Sequence, residues 1–279
     1  MNLQQVDINE VDVILNRACD QSKPVFIVYD IETAPLRDDL LWKMYDESKL
    51  KLPPPPGKFD PDSVKYGNAK KPELRQSILR EAQAKHLKAI AEYPEVVARI
   101  KDEGFGKFRD GARLRALTGW ITAIGYGIYA GGDDAKAIMA TAKDMDGEKG
   151  LLEDFWEITG HAATYQVIGF NSDSFDLPFI VQRSMKYGLG WYPFRGRLSA
   201  HPFCDLAKRW QCGQSEQFIS LHNLSLFFGL DGKAGEVEGK YFYETLLEDE
   251  EAALSYLFTD IELTTKLAKK LGMLDPPGT

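Results

Sequence analysis

The stretch 25-VFIVYDIE-32 sets the expected fold. Five apolar or aromatic residues, Val25 to Tyr29, run straight into Asp30, and Glu32 follows two positions later. A continuous apolar run of this length predicts a strand covered on both faces, as in the sheets of α/β proteins. Side chains alternate along a strand, so Asp30 and Glu32 leave the same side. Two carboxylates at the end of a buried strand repel each other, and desolvation raises both of their pKa values. A divalent cation with hard oxygen ligands, Mg²⁺ or Mn²⁺, relieves both effects. The alternative is a strand that ends at the surface with two solvated acids, and this stretch alone does not separate the two.

The chain as a whole narrows the classes. With 279 residues, 44% of them hydrophobic, it has ample material for a core and is long enough for one large domain or two small ones. No apolar run approaches the length of a membrane span, so no membrane partner is expected. The N-terminus, MNLQQVDINEVDVILNR, lacks the shape of a signal peptide. Three scattered cysteines, Cys19, Cys204 and Cys212, do not make a disulfide framework, and a reducing cytoplasm is the expected compartment. The net charge of −8 argues against a nucleic-acid partner, but its distribution weakens that argument. Lys58–Thr118 holds 14 Lys/Arg against 9 Asp/Glu, and Arg183–Gln211 holds six Lys/Arg against the single acid Asp205. Such tracts either follow phosphates or are solvated helix faces.

Reading outward from the first strand, residues 1–22 form a short lead-in. Residues 37–118 read as a helical insertion: a helix start over Asp39–Leu50, a break at Pro53–Pro56, a polar loop, then a helical pattern from Pro72 to Tyr93. Gly119–Tyr129 predicts a second strand, whose Gly125 and Gly127 suit close packing better than a dinucleotide loop because no third glycine follows at the right spacing. Lys136–Ala142 and Tyr165–Phe170 read as further strands, with Phe203–Asp205 a short one. Helices are expected at Gly147–Gly160, Phe175–Tyr187 and Leu221–Phe228. The last helix has acids Asp249–Glu251 in its first turn, lysines 266, 269 and 270 near its end, and Gly272 as its cap.

Three separated stretches carry candidate chemistry. Asp30-Ile-Glu32 ends the first strand. In 168-IGFNSDSFDLPFI-180 a strand ends at Asn171, a tight turn follows, and Asp176 opens a helix. In 256-YLFTD-260 the Tyr256 hydroxyl and the Asp260 carboxylate, four positions apart, share one helix face. Each is common alone. His201-Pro-Phe-Cys204 followed by Cys212 offers three zinc-type ligands where a structural site needs four, so zinc is not expected.

The order DxE, NxxxFD, YxxxD resembles the three exonuclease motifs of the DEDD superfamily of 3′–5′ exonucleases. The tyrosine places it nearest the DEDDy group, and NxxxFD followed by LPF is most similar to the proofreading domain of B-family DNA polymerases and its stand-alone bacterial and phage relatives. The motifs span residues 26–271. The resemblance implies an α/β, ribonuclease H-like fold over residues 1–279: a mixed, mostly parallel sheet flanked by helices, here with a helical insertion at about 37–118 after the first strand. It implies two divalent cations, Mg²⁺ or Mn²⁺, held by Asp30, Glu32, Asp176 and Asp260, since phosphodiester hydrolysis must generate hydroxide and stabilise both the attacking and the leaving oxygen. Tyr256 is expected to orient the attacking water; with an ordinary pKa of about 10 it is a hydrogen-bond partner rather than a base at neutral pH. The resemblance gives Thr33, Leu36, Asn171 and Phe175 substrate-binding roles: the Thr33 backbone at the terminal 3′-hydroxyl, Leu36 wedged on the terminal base, Asn171 and Phe175 shaping a single-strand groove. Plain packing or turn roles stay open for these four. His201 and Asp205 resemble the family's HxDL segment.

The expected activity is therefore a metal-dependent 3′–5′ exonuclease on single-stranded DNA, releasing nucleoside 5′-monophosphates. Alternatives are an RNA-trimming exoribonuclease on the same scaffold or a non-catalytic single-strand-binding protein. A separate polymerase or another replication or repair protein is a further possible partner. Connections after the first strand are usually short in the family; here about eighty residues intervene, read as a flap over nucleic acid or as an oligomer contact.

Overall fold

The computed structural model describes residues 4–5, 13, 15, 25–130, 136–160, 166–190, 202–214, 219–232 and 239–274. The chain divides into two compact units, one of residues 1–36 and 112–279, the other of residues 37–111.

The first unit is built on a mixed sheet. In chain order its strands are β1 (Gln4–Gln5), β2 (Val25–Pro35), β3 (Gly119–Ala130), β4 (Lys136–Thr141), β5 (Gln166–Gly169) and β6 (Phe203–Asp205), and they lie side by side as β1-β4-β3-β2-β5-β6. β3 pairs antiparallel with both β2 and β4, whereas the β1–β4, β2–β5 and β5–β6 pairs are parallel. β2 is therefore central and, as its apolar run requires, buried along almost all of its length. It runs three residues beyond the expected end at Glu32, because a register shift between Glu32 and Thr33 lets the pairing with β3 continue to Pro35–Gly119.

Helices cover both faces of this sheet. In chain order they are α3 (Glu148–Gly160), α4 (Asp176–Tyr187), α5 (Leu206–Gln211), α6 (Leu221–Phe227), α7 (Phe242–Glu248) and α8 (Glu250–Lys270). On one face Tyr29 and Tyr126 set their rings against Phe155 of α3, with centroids 5.4 and 6.5 Å apart. On the other, β3 is bare at Gly125 and Gly127, and α8 fills the space. A Cβ at Gly125 would stand 2.8 Å from Ile261 Cγ1 and 2.9 Å from Leu257 Cγ. These glycines thus serve close packing of a helix on the sheet. α8 begins as its sequence requires: the Asp249 carboxylate caps it by accepting from the Ala252 amide, and Gly272 ends it with φ +67. Buried ions tie the opposite side together. Glu148 Oε1 accepts from Arg183 Nε and from the Ile121 amide, both at 2.8 Å, and its Oε2 accepts from the Tyr187 hydroxyl at 2.7 Å.

The second unit contains α1 (Asp38–Met44) and all but the last residue of α2 (Pro72–Ala112). The expected helix end at Tyr93 is corrected: α2 continues through Pro94 for a total of 41 residues. A proline inside a helix removes one hydrogen bond and crowds the preceding turn, at about 3 kcal/mol. Aromatic packing offsets that cost in the second half. Trp42 stacks on Phe105 at 3.8 Å and 5°, and Tyr45 packs against Phe105 and Phe108. Arg109 pairs with Asp38 at 3.2 Å, so the unit's two ends lie together.

Most of the lead-in, residues 131–135, Tyr165, Arg195, Arg197 and His201 lie outside the described residues. Cys204 is buried and Cys212 exposed, and neither is in a disulfide. Among the described residues no helix is long and apolar enough to cross a membrane.

Candidate active site

Asp30 and Glu32 emerge from β2 on the side that faces α8. The irregularity after Glu32 is pinned twice. Thr122 Oγ1 donates to the Glu32 carbonyl at 3.1 Å, and Thr33 Oγ1 donates to the Arg113 carbonyl at 2.8 Å. From α8, Asp260 reaches the same point. Asp30, Glu32 and Asp260 each offer a carboxylate oxygen, and the three lie within 4.8 Å of one another. Glu32 and Asp260 are buried and Asp30 is partly so. Three carboxylates this close repel one another, and a cation among them would relieve that repulsion. An all-oxygen set of this kind suits a hard divalent ion.

Asp176 arrives from a third direction, as the first residue of α4. Its Oδ1 accepts from the Ile31 amide at 3.3 Å, between the two acids of β2. Burial is the largest influence on its carboxyl and pushes it up to about 7, against the backbone hydrogen bonds to its own amide and to Ile31 that favour the anion. A cation nearby would favour the anion further. The turn that aims Asp176 is strained at Asn171, which has φ +57 without being glycine. Asp205, at the end of β6, holds that turn. Its Oδ1 accepts from the Asn171 amide at 2.9 Å, and its Oδ2 accepts from the Asp173 amide at 3.1 Å. Lys208 pairs with Asp173 at 3.0 Å.

Tyr256 lies one helical turn before Asp260 on α8 and packs against Phe242 of α7. Its hydroxyl pKa is raised well above the ordinary phenol range, by burial first and then by Asp260, Glu32 and Asp30. The phenol therefore stays protonated and can donate. A Cβ at Gly239 would stand 3.1 Å from the Tyr256 oxygen and 3.6 Å from Glu32 Oε2, so backbone closes tightly over this pair.

Asp30, Glu32, Thr33, Asn171, Phe175, Asp176, Tyr256 and Asp260 all line one cavity of about 430 Å³. Leu36 does not. It is buried, its amide donates to the Thr118 carbonyl at 2.8 Å, and it lies beyond the end of β2. The cavity is completed by residues that the motifs do not contain, among them Arg113, Leu114, His222 and Lys240. For Arg113 the signal was the basic surplus of Lys58–Thr118; for His222 and Lys240 no spacing pointed to the site.

The model of a family described as predicted 3′–5′ exonucleases related to the exonuclease domain of PolB matches residues 120–265. Asn171, Phe175, Asp176, Tyr256 and Asp260 fall in that range, while Asp30 and Glu32 precede it and join them through the sheet. Among solved structures, the family B DNA polymerase from the hyperthermophilic archaeon Pyrobaculum calidifontis is similar at 17% identity and a TM-score of 0.49. That likeness covers 58% of this chain and 23% of the polymerase. No curated protein matches.

Proposed function

Because the chain belongs to the family of predicted 3′–5′ exonucleases related to the exonuclease domain of PolB, we propose that it removes nucleotides from the 3′ end of single-stranded DNA as 5′-monophosphates, by a two-metal mechanism. The observation that carries this is the convergence of Asp30, Glu32 and Asp260 within 4.8 Å, with Asp176 and Tyr256 on the same cavity. We read the fold as ribonuclease H-like. The run β4-β3-β2-β5-β6, in which only β3 opposes the others, supports it.

In this reading Asp30, Glu32, Asp176 and Asp260 hold two divalent cations, Mg²⁺ or Mn²⁺. When bound, such ions lower the pKa of a coordinated water and neutralise charge on the reacting phosphate. The chain's own groups do the rest. Tyr256, kept protonated, orients the attacking water by a hydrogen bond. Asp205 fixes the 171–173 turn and so fixes where Asp176 begins its helix. Asn171 and Phe175 contact the incoming strand, and the Thr33 backbone faces its terminal sugar. Low solvent access around Glu32 and Asp260 strengthens every charge interaction in the site.

The test is a 5′-labelled single-stranded DNA oligonucleotide incubated with the protein in Mg²⁺, Mn²⁺ or EDTA, with Asp30→Ala in parallel. The expected result is a ladder that shortens from the 3′ end, absent with EDTA and in the variant. Equal activity in Asp30→Ala, or products shortened from the 5′ end, would overturn the assignment. An RNA oligonucleotide in the same assay reads the sugar preference.

A further inference from the structure

The turn 113–118, which links α2 to β3, is held at three points. Thr33 Oγ1 donates to the Arg113 carbonyl at 2.8 Å, Thr118 Oγ1 donates to the Ala112 carbonyl at 2.9 Å, and Arg183 Nη1 donates to the Ala116 carbonyl at 3.0 Å. Arg183 is itself fixed by the buried pair with Glu148. A connection between a helix and a strand is ordinarily the loosest part of a fold. This one is anchored to the central strand β2 and to the buried ion pair.

The anchored turn presents two side chains to the site. Arg113 and Leu114 line the cavity that holds the four acids. Leu114 is 52% exposed, so it adds little to the core. The Arg113 side chain makes no hydrogen bond or ion pair among the described residues, although Asp30, Glu32, Asp176 and Asp260 line the same cavity. An unpaired guanidinium is a planar donor set suited to a phosphate, and an exposed apolar side chain beside it is suited to the face of a base.

We propose that Arg113 and Leu114 form a substrate subsite for the 3′-terminal dinucleotide of a single strand, Arg113 pairing with a backbone phosphate and Leu114 packing on a base. This rests on the nuclease reading above and deepens it. Thr33 and Arg183 are then positioning residues, acting through the carbonyls they hold. The subsite favours single strands by its chemistry, because the penultimate base of a duplex end is already stacked on both faces. It reads no base edge, so it carries no sequence preference.

The test is fluorescence anisotropy of a 5′-fluorescein oligothymidylate at several NaCl concentrations in Ca²⁺, an ion the same oxygen ligands accept. Wild type, Arg113→Ala, Arg113→Lys and Leu114→Ala are compared, and KM and kcat are measured in Mn²⁺. In Arg113→Ala, affinity is expected to fall about tenfold, and the slope of log K against log salt to shrink by about 0.7, the value of one phosphate contact on a single strand. KM rises in parallel and kcat changes less. Arg113→Lys recovers the slope, since it keeps the charge. Leu114→Ala weakens binding roughly fivefold with the slope unchanged, because apolar contact contributes affinity without releasing counterions. An unchanged slope in Arg113→Ala overturns the subsite whether or not the wild type hydrolyses DNA, and so does a wild type that binds no single strand. Binding that follows the expected pattern in a protein that hydrolyses nothing supports the subsite and refutes only the nuclease reading.

Discussion

Asp30 is the residue at which stability and chemistry pull against each other. Its carboxylate shares a 4.8 Å cluster with Glu32 and Asp260, so without a cation the repulsion destabilises the fold. Asp30→Asn is expected to abolish hydrolysis and to stabilise the metal-free protein by about 1 kcal/mol. Mn²⁺ at a hundred times its Kd should stabilise the wild type by about 2.7 kcal/mol and the variant by much less. Thermal melts with EDTA and with Mn²⁺ read both, and a variant that melts below the wild type in EDTA would refute the repulsion. A second residue gives a pH signature. The Tyr187 hydroxyl, which donates to Glu148, is pushed up to about 12 by burial and then by that carboxylate. In the unfolded chain it ionises near 10. Between these values the unfolded state binds fewer protons, so the contribution of Tyr187 is intact below about pH 10 and is lost as pH rises through about 12. Urea midpoints at pH 9 and 11 should therefore fall less in Tyr187→Phe than in the wild type.

At the scale of elements, the contact between α8 and β3 sets the site, because α8 brings Asp260 and Tyr256 to a strand whose register partner is Asp30. Gly125 is paired with Asp30 itself. Gly125→Ala places a methyl 2.8 Å from Ile261 and 2.9 Å from Leu257. It should cost about 1–3 kcal/mol by overpacking and lower kcat by moving α8 off the sheet. Combined with Leu257→Ala it should cost less than the sum of the two single changes; strict additivity would show that α8 had not been pushed. These elements also show what a sequence makes legible. β2 and α8 were legible because continuous apolarity and cap residues are local signals. The far half of α2 was not, because Pro94 is a local stop that distant aromatic contacts, Trp42 on Phe105 among them, override. α7 went unforeseen because its sequence runs into α8 with no turn residue; only the backbone of Asp249, with φ −143, parts them. At the site, carboxylate order along the chain pointed to acids that line one cavity, but Arg113 and Leu114 reach the cavity through a turn whose shape depends on Thr33 and Arg183, far away in sequence.

For the whole molecule, the informative fact is where residues 37–111 leave and rejoin the first unit. The Leu36 amide donates to the Thr118 carbonyl at 2.8 Å, and Thr118 Oγ1 donates to the Ala112 carbonyl at 2.9 Å. Both junctions are therefore fixed from within the first unit. Replacing 37–111 by a short Gly/Ser linker is expected to leave a cooperatively melting protein that still degrades DNA with Mn²⁺; calorimetry and the oligonucleotide assay check this, and a chain that no longer melts cooperatively would contradict it. The net charge of −8 conceals the relevant asymmetry, since basic surpluses lie in residues 58–118 and 183–211.

The ion pair between Arg109 and Asp38 bears on the order of folding events. β2 and β3 are adjacent in the sheet, yet Pro35 and its partner Gly119 are separated by all of the second unit. Closing so long a loop directly is entropically slow. If residues 37–111 condense first and bring their own ends together, the effective loop shortens about tenfold, which removes roughly 2 kcal/mol from the closure entropy. The insertion then acts as a clasp that accelerates formation of the central hairpin. Weakening it at Trp42 or Phe105 should slow refolding of the sheet without altering a single contact within it.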